Sequence, residues 1–235
     1  MTNYFVGITA YERPQSLMRL MTQLHQQVNV KTEIHVAYDD PSPPETIKQA
    51  VGNKGTMHMP VQHRGRDEYW RLVDQLWAQA QMRRAEWDLF LFVQDDVSID
   101  DTRCLERVGN RIKAIKEHVA NVASLNLYGD GPEWNPVARW TGRPVVETAE
   151  GAVYASWTDM VCVAFTPLTF NVMPYMTAPT PREERTGESS GVGRLISKTL
   201  DETLCAQMML PEPLVEHADG GVSKMHPEQN LKPNP

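Results

Sequence analysis

Residues Leu89–Asp96 read LFLFVQDD, five consecutive apolar side chains followed by an amide and two carboxylates. A continuous apolar run of this length, preceded by an amphipathic helical pattern, is typical of a central parallel strand covered on both faces. The helical pattern consists of apolar residues that share one face, namely Tyr69, Leu72, Val73, Leu76, Trp77 and Ala80. The stretch therefore predicts a buried strand that brings Gln94, Asp95 and Asp96 to its carboxyl end.

Two further strand patterns precede this one, at Tyr4–Thr9 and Glu33–Tyr38, and a weaker one covers about 57–61. A helical pattern beginning at Pro14 separates the first two, and proline is tolerated in the first turn of a helix. This β-α-β order predicts an α/β fold in which most strands are parallel.

Three loops are expected to meet at one edge of this sheet. Ligands of open α/β sheets bind in the crevice outside the carboxyl ends of the strands. The loops that follow the predicted strands contain residues 9–11, 39–40 and 95–96. The sequence therefore predicts a single binding crevice built from segments that are far apart along the chain.

The second half of the chain has a mixed pattern. Its predicted elements are a basic helix to about residue 118, strands at 122–128 and 160–165, a hairpin from 145–148 and 152–155, and a helix starting near 189–190. The stretch 129–144 is rich in Gly, Pro and Trp and is predicted to be a substrate-facing loop. We divide the chain into two halves of one domain, 1–128 and 129–227, and a flexible tail, 228–235.

Composition excludes several classes of protein. The chain has 235 residues, 41% of them hydrophobic and 23% charged, which is ordinary globular usage and excludes a disordered or fibrous protein. A formal net charge of -7 opposes general adhesion to nucleic acid or anionic lipid. No apolar stretch approaches the roughly 20 residues that span a bilayer, and the three cysteines form no CxxC pair. We therefore expect a cytoplasmic protein with free thiols.

The acidic pair at the end of the central strand suggests a metal site. Transfer of a sugar from a nucleoside diphosphate requires neutralisation of the leaving diphosphate, and Mg²⁺ or Mn²⁺ held by carboxylates is a common solution. Asp95 and Asp96 are suited to that task. The alternative is an acidic turn that caps the next helix, because Asp is favoured at such boundaries.

Two segments carry a resemblance to a known family. Ile8–Pro14 reads ITAYERP, and Phe92–Val97 reads FVQDDV. They resemble the Thr-x-Tyr-Asn-Arg-Pro start and the Asp-x-Asp element of the GT-A class of glycosyltransferases, especially its large second sequence family. Glu12 stands in place of the usual Asn, and Gln94 in place of the first Asp. The resemblance implies a Rossmann-like, mixed but mostly parallel sheet flanked by helices, with a donor- and metal-binding half at 1–128 and an acceptor-binding and catalytic half at 129–227.

The resemblance also implies which residues bind the donor. Asp39 would accept a hydrogen bond from the base imide, which favours uracil over cytosine because only uracil offers an N–H there. Arg66 would bind phosphate or the nucleotide, although an exposed helical turn is an equal alternative. The remaining donor-contacting residues implied by the resemblance are Thr9, Ala10, Tyr11, Arg13, Gln94 and Asp95.

Asp96 is the preferred metal residue, because the last Asp of the family's element is usually the direct ligand. His217 and His226 lie in a segment that resembles the closing strand and loop of related transferases, where a histidine can complete the metal shell. Each of these histidines has an ordinary structural role as its alternative. The cofactors implied are therefore Mn²⁺ or Mg²⁺ together with a nucleotide-sugar donor, with a UDP-sugar favoured.

An inverting transferase also needs a carboxylate that removes the proton of the acceptor hydroxyl. Asp159, beside Trp157 and just before an apolar strand, is one candidate, and Glu188, near a predicted helix start, is the other. Either carboxylate is equally suited to a turn or a helix cap. A retaining mechanism would need no such base.

The acceptor is either a glycan or a hydroxymethylated DNA base of the kind that some phage enzymes glycosylate. Several arginines and lysines favour DNA, but a solvated helix face balanced by acidic residues explains them better. Two other functions remain open. A metal-dependent nucleotidyltransferase would also use a strand-end acidic pair, and a non-catalytic nucleotide-sugar-binding protein fits the missing first Asp of the metal element.

Overall fold

The computed structural model describes residues 1–65, 68–128, 153–155, 158, 160–179, 191–210 and 212–217. The strands are β1 Thr2–Ala10, β2 Val30–Tyr38, β3 Thr56–His58, β4 Leu89–Gln94, β5 Val97–Ser98, β6 Val122–Asn126, β7 Val153–Ala155, β8 Cys162–Phe165, β9 Ala206–Met209 and β10 Glu216–His217. The helices are α1 Pro14–His25, α2 Glu45–Val51, α3 Tyr69–Met82, α4 Cys104–His118, α5 Pro167–Val172 and α6 Gly191–Glu202. Strands and helices alternate through the first half, as the sequence pattern predicts.

Eight strands form one sheet in the order β3-β2-β1-β4-β8-β6-β9-β7. The first four are mutually parallel, β8 is antiparallel to both β4 and β6, and β6 is parallel to β9. Strand β7 then pairs antiparallel with β9. The sheet is therefore mixed and mostly parallel, which confirms the predicted fold class.

The LFLFVQDD stretch forms β4, which lies between β1 and β8 near the middle of the sheet. Its five apolar residues are all buried, because helices cover both faces of the sheet here. Gly7 in β1 permits the close approach of helix α3. A Cβ atom at this position would lie 2.9 Å from Cε2 of Phe90 and 3.3 Å from Cβ of Leu76. The central strands are thus fixed by packing as well as by their backbone hydrogen bonds.

Two hydrophobic layers enclose the sheet. Helices α1, α2 and α4 pack on one face, and α3, α5 and α6 pack on the other. The second layer is rich in aromatic residues, and Trp77 stacks on Phe170 with 4.1 Å between ring centroids. The indole N–H of Trp77 donates to the carbonyl of Met173 at 2.8 Å, so its one polar group is satisfied in the core.

A small second sheet lies beside the end of β4. In it, β5 pairs antiparallel with β10, so that Val97 lies opposite His217 and Ser98 lies opposite Glu216. A segment from near the end of the described chain is thereby joined to the residue that follows Asp96. This pairing positions the acidic pair between two sheets.

The structure differs from the predicted elements in several places, and it contains α2 and β9, which the sequence pattern did not predict. Strand β3 ends at His58 rather than continuing to residue 61, since Pro60 cannot donate to a strand ladder. Helix α5 was not expected, because its six residues are too few to show a helical period. The 145–148 arm of the predicted hairpin lies outside the described residues, and β7 pairs with β9. Cys104, Cys162 and Cys205 are buried free thiols, as expected.

Candidate active site

Strands β1, β2 and β4 end side by side, and the loops that follow them are joined by hydrogen bonds. Ala10 lies opposite Tyr38 in the parallel register. The backbone N–H of Asp39 donates to the carbonyl of Ala10 at 3.1 Å, and that of Asp95 donates to the carbonyl of Thr9 at 3.1 Å. The three loops predicted to converge therefore do so, at the carboxyl edge of the parallel strands.

Asp95 holds the loop that follows β1. Its Oδ2 accepts the backbone N–H of Tyr11 at 2.9 Å, and the residue is buried. Between Tyr11 and Arg13, Glu12 has a φ angle of 52°, in the left-handed region that a residue with a long side chain seldom adopts. Backbone strain of this kind persists only where the surroundings enforce it, and here the flanking residues are tied to β4.

Asp96 forms an ion pair with Arg13. Nη1 of Arg13 lies 2.5 Å from Oδ2 of Asp96, and the two side chains are only 6% and 11% exposed. A charge-assisted bond between buried groups is short and strong, and either charge alone would be costly to bury. Asp96, the preferred metal ligand, thus lies beside the positively charged guanidinium of Arg13.

The donor chemistry of this acidic pair fits a hard divalent cation. Carboxylate oxygens are the usual protein ligands of Mg²⁺ and Mn²⁺. Within the residues that the structure describes, no group of three or more His, Cys, Asp and Glu side chains could hold a metal ion. Mg²⁺ is often held by one or two carboxylates together with substrate phosphates.

Asp39 is buried at the end of β2 and organises the loop that follows β3. Its Oδ1 accepts the backbone N–H of Arg64 at 2.8 Å, and its Oδ2 accepts that of Gly65 at 2.9 Å. Gly65 has a φ angle of 63°, which glycine adopts without strain. Burial raises the pKa of Asp39, and the two N–H bonds only partly oppose that effect.

Two rings stand next to Asp39. The ring of Tyr11 lies 5.1 Å from the ring of His63, between centroids, with an interplanar angle of 34°. Nδ1 of His63 donates to the backbone carbonyl of Asp39 at 2.6 Å, and the His63 side chain is 48% exposed. A carboxylate flanked by partly open rings is suited to a planar, hydrogen-bonding ligand such as a nucleobase.

His63 is not among the site residues that the sequence predicts. It lies in the segment expected to bind the donor, where the charge of Arg66 makes that residue the predicted contact. The only sequence signal for His63 is its position two residues before Gly65. Its contact with Tyr11 joins two loops that are far apart along the chain, so no local sequence pattern predicts it.

Gln94 links the central strand to the neighbouring segment. Its Nε2 donates to the carbonyl of Met160 at 2.9 Å, and its backbone N–H donates to the carbonyl of Val161 at 3.0 Å. Thr9 makes a 3.0 Å hydrogen bond with the hydroxyl of Tyr69, whose pKa is raised by burial so that the phenol is neutral. Gln94 thus makes a backbone contact at the position where the family has a carboxylate.

The candidate catalytic residues Asp159 and Glu188, together with Arg66 and His226, lie outside the described residues. The residues on either side of position 159 are described and buried. Thr158 donates its N–H to Oγ of Ser197 at 2.7 Å and its hydroxyl to Oε1 of Gln207 at 2.6 Å. The backbone of His217 lies opposite Val97, the residue after Asp96.

Comparison with known proteins places this fold among glycosyltransferase structures. The mannosyltransferase PcManGT from Pyrobaculum calidifontis, solved with GDP-Man and Mn²⁺, matches with a TM-score of 0.54 and 15% sequence identity over 89% of this chain. S. aureus TarS 1-349, solved with UDP, matches with a TM-score of 0.55 and 16% identity over 89% of this chain. A mycobacterial protein matches with a TM-score of 0.54 and 15% identity over 92% of this chain.

The chain therefore has the GT-A-type fold of nucleotide-sugar transferases. It spans 54% of the PcManGT chain and 58% of the TarS chain, a little over half of each. Neither protein-family profiles nor curated protein sequences gave a match. Over the described ranges, no helix is long and apolar enough to cross a bilayer.

Proposed function

We propose that this protein is a metal-dependent glycosyltransferase that moves a sugar from a nucleoside diphosphate, UDP by preference, to an acceptor hydroxyl. The observation that carries this proposal is the meeting of Asp39, Tyr11 and the Asp95-Asp96 pair at one edge of the sheet. The fold supports it, because similar structures hold GDP-Man with Mn²⁺ or UDP.

Asp39 and the two rings beside it form the proposed base site. Each carboxylate oxygen already accepts one backbone N–H and can accept a second hydrogen bond. The imide N–H of uracil is a matching donor, whereas N3 of cytosine is an acceptor and would be repelled. Tyr11 offers a ring face to the same base. A preference for UDP over CDP follows.

Asp96 and Asp95 form the proposed diphosphate end of the site. A divalent cation, when bound, would neutralise the charge that develops on the leaving diphosphate. Asp96 supplies a carboxylate for it, while Asp95 keeps the β1 loop in place through the N–H of Tyr11. His217 is proposed as a further ligand, since its backbone lies opposite Val97. The donor would thus lie along the strand ends, with its base at β2 and its diphosphate at β4.

Asp159 is the proposed base that removes the acceptor proton, and Glu188 is the alternative. The neighbours of Asp159 are held firmly, Thr158 by Ser197 and Gln207 and Met160 by Gln94. A base must keep its position to within hydrogen-bond reach of the acceptor oxygen. The hydrogen bonds of these two described neighbours are the reason for preferring Asp159 to Glu188.

A carbohydrate hydroxyl is the proposed acceptor. The alternative acceptor, hydroxymethylated DNA, is suggested by the cations at the start of α4 and along it. Two of these cations form ion pairs with acidic neighbours. Arg103 pairs with Glu106 at 2.6 Å, and Arg107 forms an ion pair with Asp101. A helix face on which two of the cations are already paired is a weaker track for phosphates. The arginines at 139, 143, 182 and 185 lie outside the described residues.

The test is a thermal-shift screen of nucleotide sugars with and without Mn²⁺, followed by product analysis with the donor that binds best. A ligand that binds only the native state raises the melting temperature. We expect UDP-sugars to raise it most, with Mn²⁺ adding to the shift, and transfer to release UDP. Release of pyrophosphate would instead identify a nucleotidyltransferase. Donor binding without turnover across glycan and DNA acceptors would identify a non-catalytic binding protein.

A further inference from the structure

Arg13 occupies a position that helix stability does not explain. It is the residue before α1, with Pro14 at the first helical position, and its side chain makes no capping hydrogen bond. The amino end of a helix carries a partial positive charge, so a cation is unfavourable there. The residue is nevertheless 7% exposed, with its guanidinium against Asp96. Its guanidinium therefore lies against Asp96 rather than serving the helix end.

This ion pair and a bound metal compete for the same carboxylate. Asp96 carries one negative charge, and its Oδ2 already accepts Nη1 of Arg13. A divalent cation on that carboxylate would face the guanidinium at short range in a buried region, where the repulsion of like charges is poorly screened. Cation binding therefore requires that the guanidinium withdraw or that another anion join the site.

We infer that Arg13 is the resident counter-charge of Asp96 and that a nucleoside diphosphate and a divalent cation displace it together. This inference rests on the proposed function. The diphosphate adds negative charge to the site and offers Arg13 a new partner, because a guanidinium binds phosphate oxygens in a bidentate manner. Arg13 lies two residues after Tyr11, in the loop proposed to hold the donor. Without donor the guanidinium stays on Asp96; with donor it moves to the diphosphate and releases Asp96 to the cation.

Arg13 thereby becomes a positioning residue that couples the two ligands. If donor raises the affinity for the cation, the cation must raise the affinity for donor by the same factor. The chain alone should bind Mn²⁺ weakly, since the positive charge of Arg13 lies against Oδ2 of this carboxylate. The sequence therefore encodes a site that discriminates against free cations until a donor is present.

The test measures Mn²⁺ binding to the full chain by electron paramagnetic resonance, with and without UDP, corrected for the Mn²⁺-UDP complex in solution. For the wild-type protein we expect UDP to tighten Mn²⁺ binding at least about tenfold. In Arg13→Met, Mn²⁺ alone should bind about tenfold more tightly than to the wild type, and the effect of UDP should shrink. Arg19→Met, an exposed arginine on the same helix, is the matched control and should behave as wild type.

Equal or weaker Mn²⁺ binding by folded Arg13→Met would overturn the inference while leaving the proposed function intact. If Arg13→Met does not fold by circular dichroism, a crystal structure of the wild type with UDP and Mn²⁺ decides. The inference requires that Arg13 has left Asp96 for the diphosphate in that structure. A guanidinium still on Asp96 beside the metal refutes it. A wild-type chain that binds neither UDP nor Mn²⁺ refutes the proposed function, and the inference with it.

Discussion

The backbone N–H of Tyr11 donates to Oδ2 of Asp95 at 2.9 Å, which ties the loop after β1 to the end of β4. One carboxylate of the acidic pair therefore has a positioning role, and the other carries the ion pair with Arg13. Tyr11 is thereby held beside the acidic pair, where the proposed donor would contact both.

Removal of the Asp95 carboxylate should loosen this loop. In Asp95→Ala the N–H of Tyr11 loses its acceptor, and we expect a loss of roughly 1–3 kcal/mol in the free energy of unfolding, with weaker UDP binding. Asp95→Asn keeps one side-chain oxygen and should lose less. Urea denaturation and UDP titration measure both effects. An Asp95→Ala protein as stable as wild type would show that the hydrogen bond does not hold the loop.

Asp39→Asn should lower both stability and UDP affinity. The two oxygens of Asp39 each accept a backbone N–H, and an amide can satisfy only one of them. We expect a loss of roughly 1–3 kcal/mol in unfolding free energy. UDP affinity should fall about tenfold, since the base site is disturbed. Asp40→Asn is the control, because its Oδ1 accepts only the local N–H of Ser42 and an asparagine keeps that oxygen. Equal effects of the two substitutions would argue against a base site at Asp39.

Strand β3 is anchored by a pair of histidines, of which His35 is buried and His58 is half-buried. Nδ1 of His35 lies 2.8 Å from Nε2 of His58, and Nε2 of His35 lies 2.8 Å from Oε1 of Glu33. Arg83, which follows α3, forms an ion pair with Glu33. Phe5 stacks on His35 with 4.3 Å between centroids. Burial lowers the pKa of both histidines, and His35 lowers that of His58 further.

These lowered pKa values predict a loss of stability in mild acid. Above a pH of about 6.5 both histidines are neutral in the folded and unfolded chains. Below it the unfolded chain binds protons that the folded chain does not, so the free energy of unfolding falls as the pH drops. Urea denaturation from pH 7.5 to 5 measures this slope. His58→Gln should flatten it, whereas His25→Gln, at an exposed position on α1, should not.

Gln94→Asp would recreate the family's first acidic position at a cost in stability. The donation from Nε2 to the carbonyl of Met160 is lost, and a third carboxylate is placed beside Asp95 and Asp96. We expect a loss of roughly 1–3 kcal/mol in unfolding free energy without metal. The loss should be smaller in Mn²⁺, because the cation offsets the added charge. An equal loss with and without Mn²⁺ would indicate that no cation binds near Gln94.

Much of the fold was predictable from the sequence, because it depends on local patterns. The apolar run of β4 predicts a strand buried on both faces, and the spacing of apolar residues in α3 predicts a helix buried on one face. Parallel order then implies that the strand ends at Thr9, Asp39 and Asp95 meet. Helix α5 and the antiparallel direction of β8 were not predictable in this way, since neither has a pattern of its own.

The contacts within the candidate site were harder to predict. Arg13 and Asp96 are separated by 83 positions, and nothing in either segment indicates that the two charges pair. The same is true of Tyr11 with His63 and of Gln94 with Met160. A sequence pattern specifies which residues reach the strand ends, but side-chain partners there depend on three-dimensional geometry. For Asp159 and Glu188 the sequence remains the basis of the assignment.

The pairing of β5 with β10 has a consequence for the order in which the protein is completed during synthesis. Strands β1, β2 and β4 can associate once they have emerged from the ribosome. Strand β5 can pair only after Glu216 and His217 have also emerged. The segment after Asp96 therefore gains its partner strand only when nearly all of the described chain has emerged. A nascent chain that has joined β1, β2 and β4 would still lack the strand that pairs with the residues after Asp96.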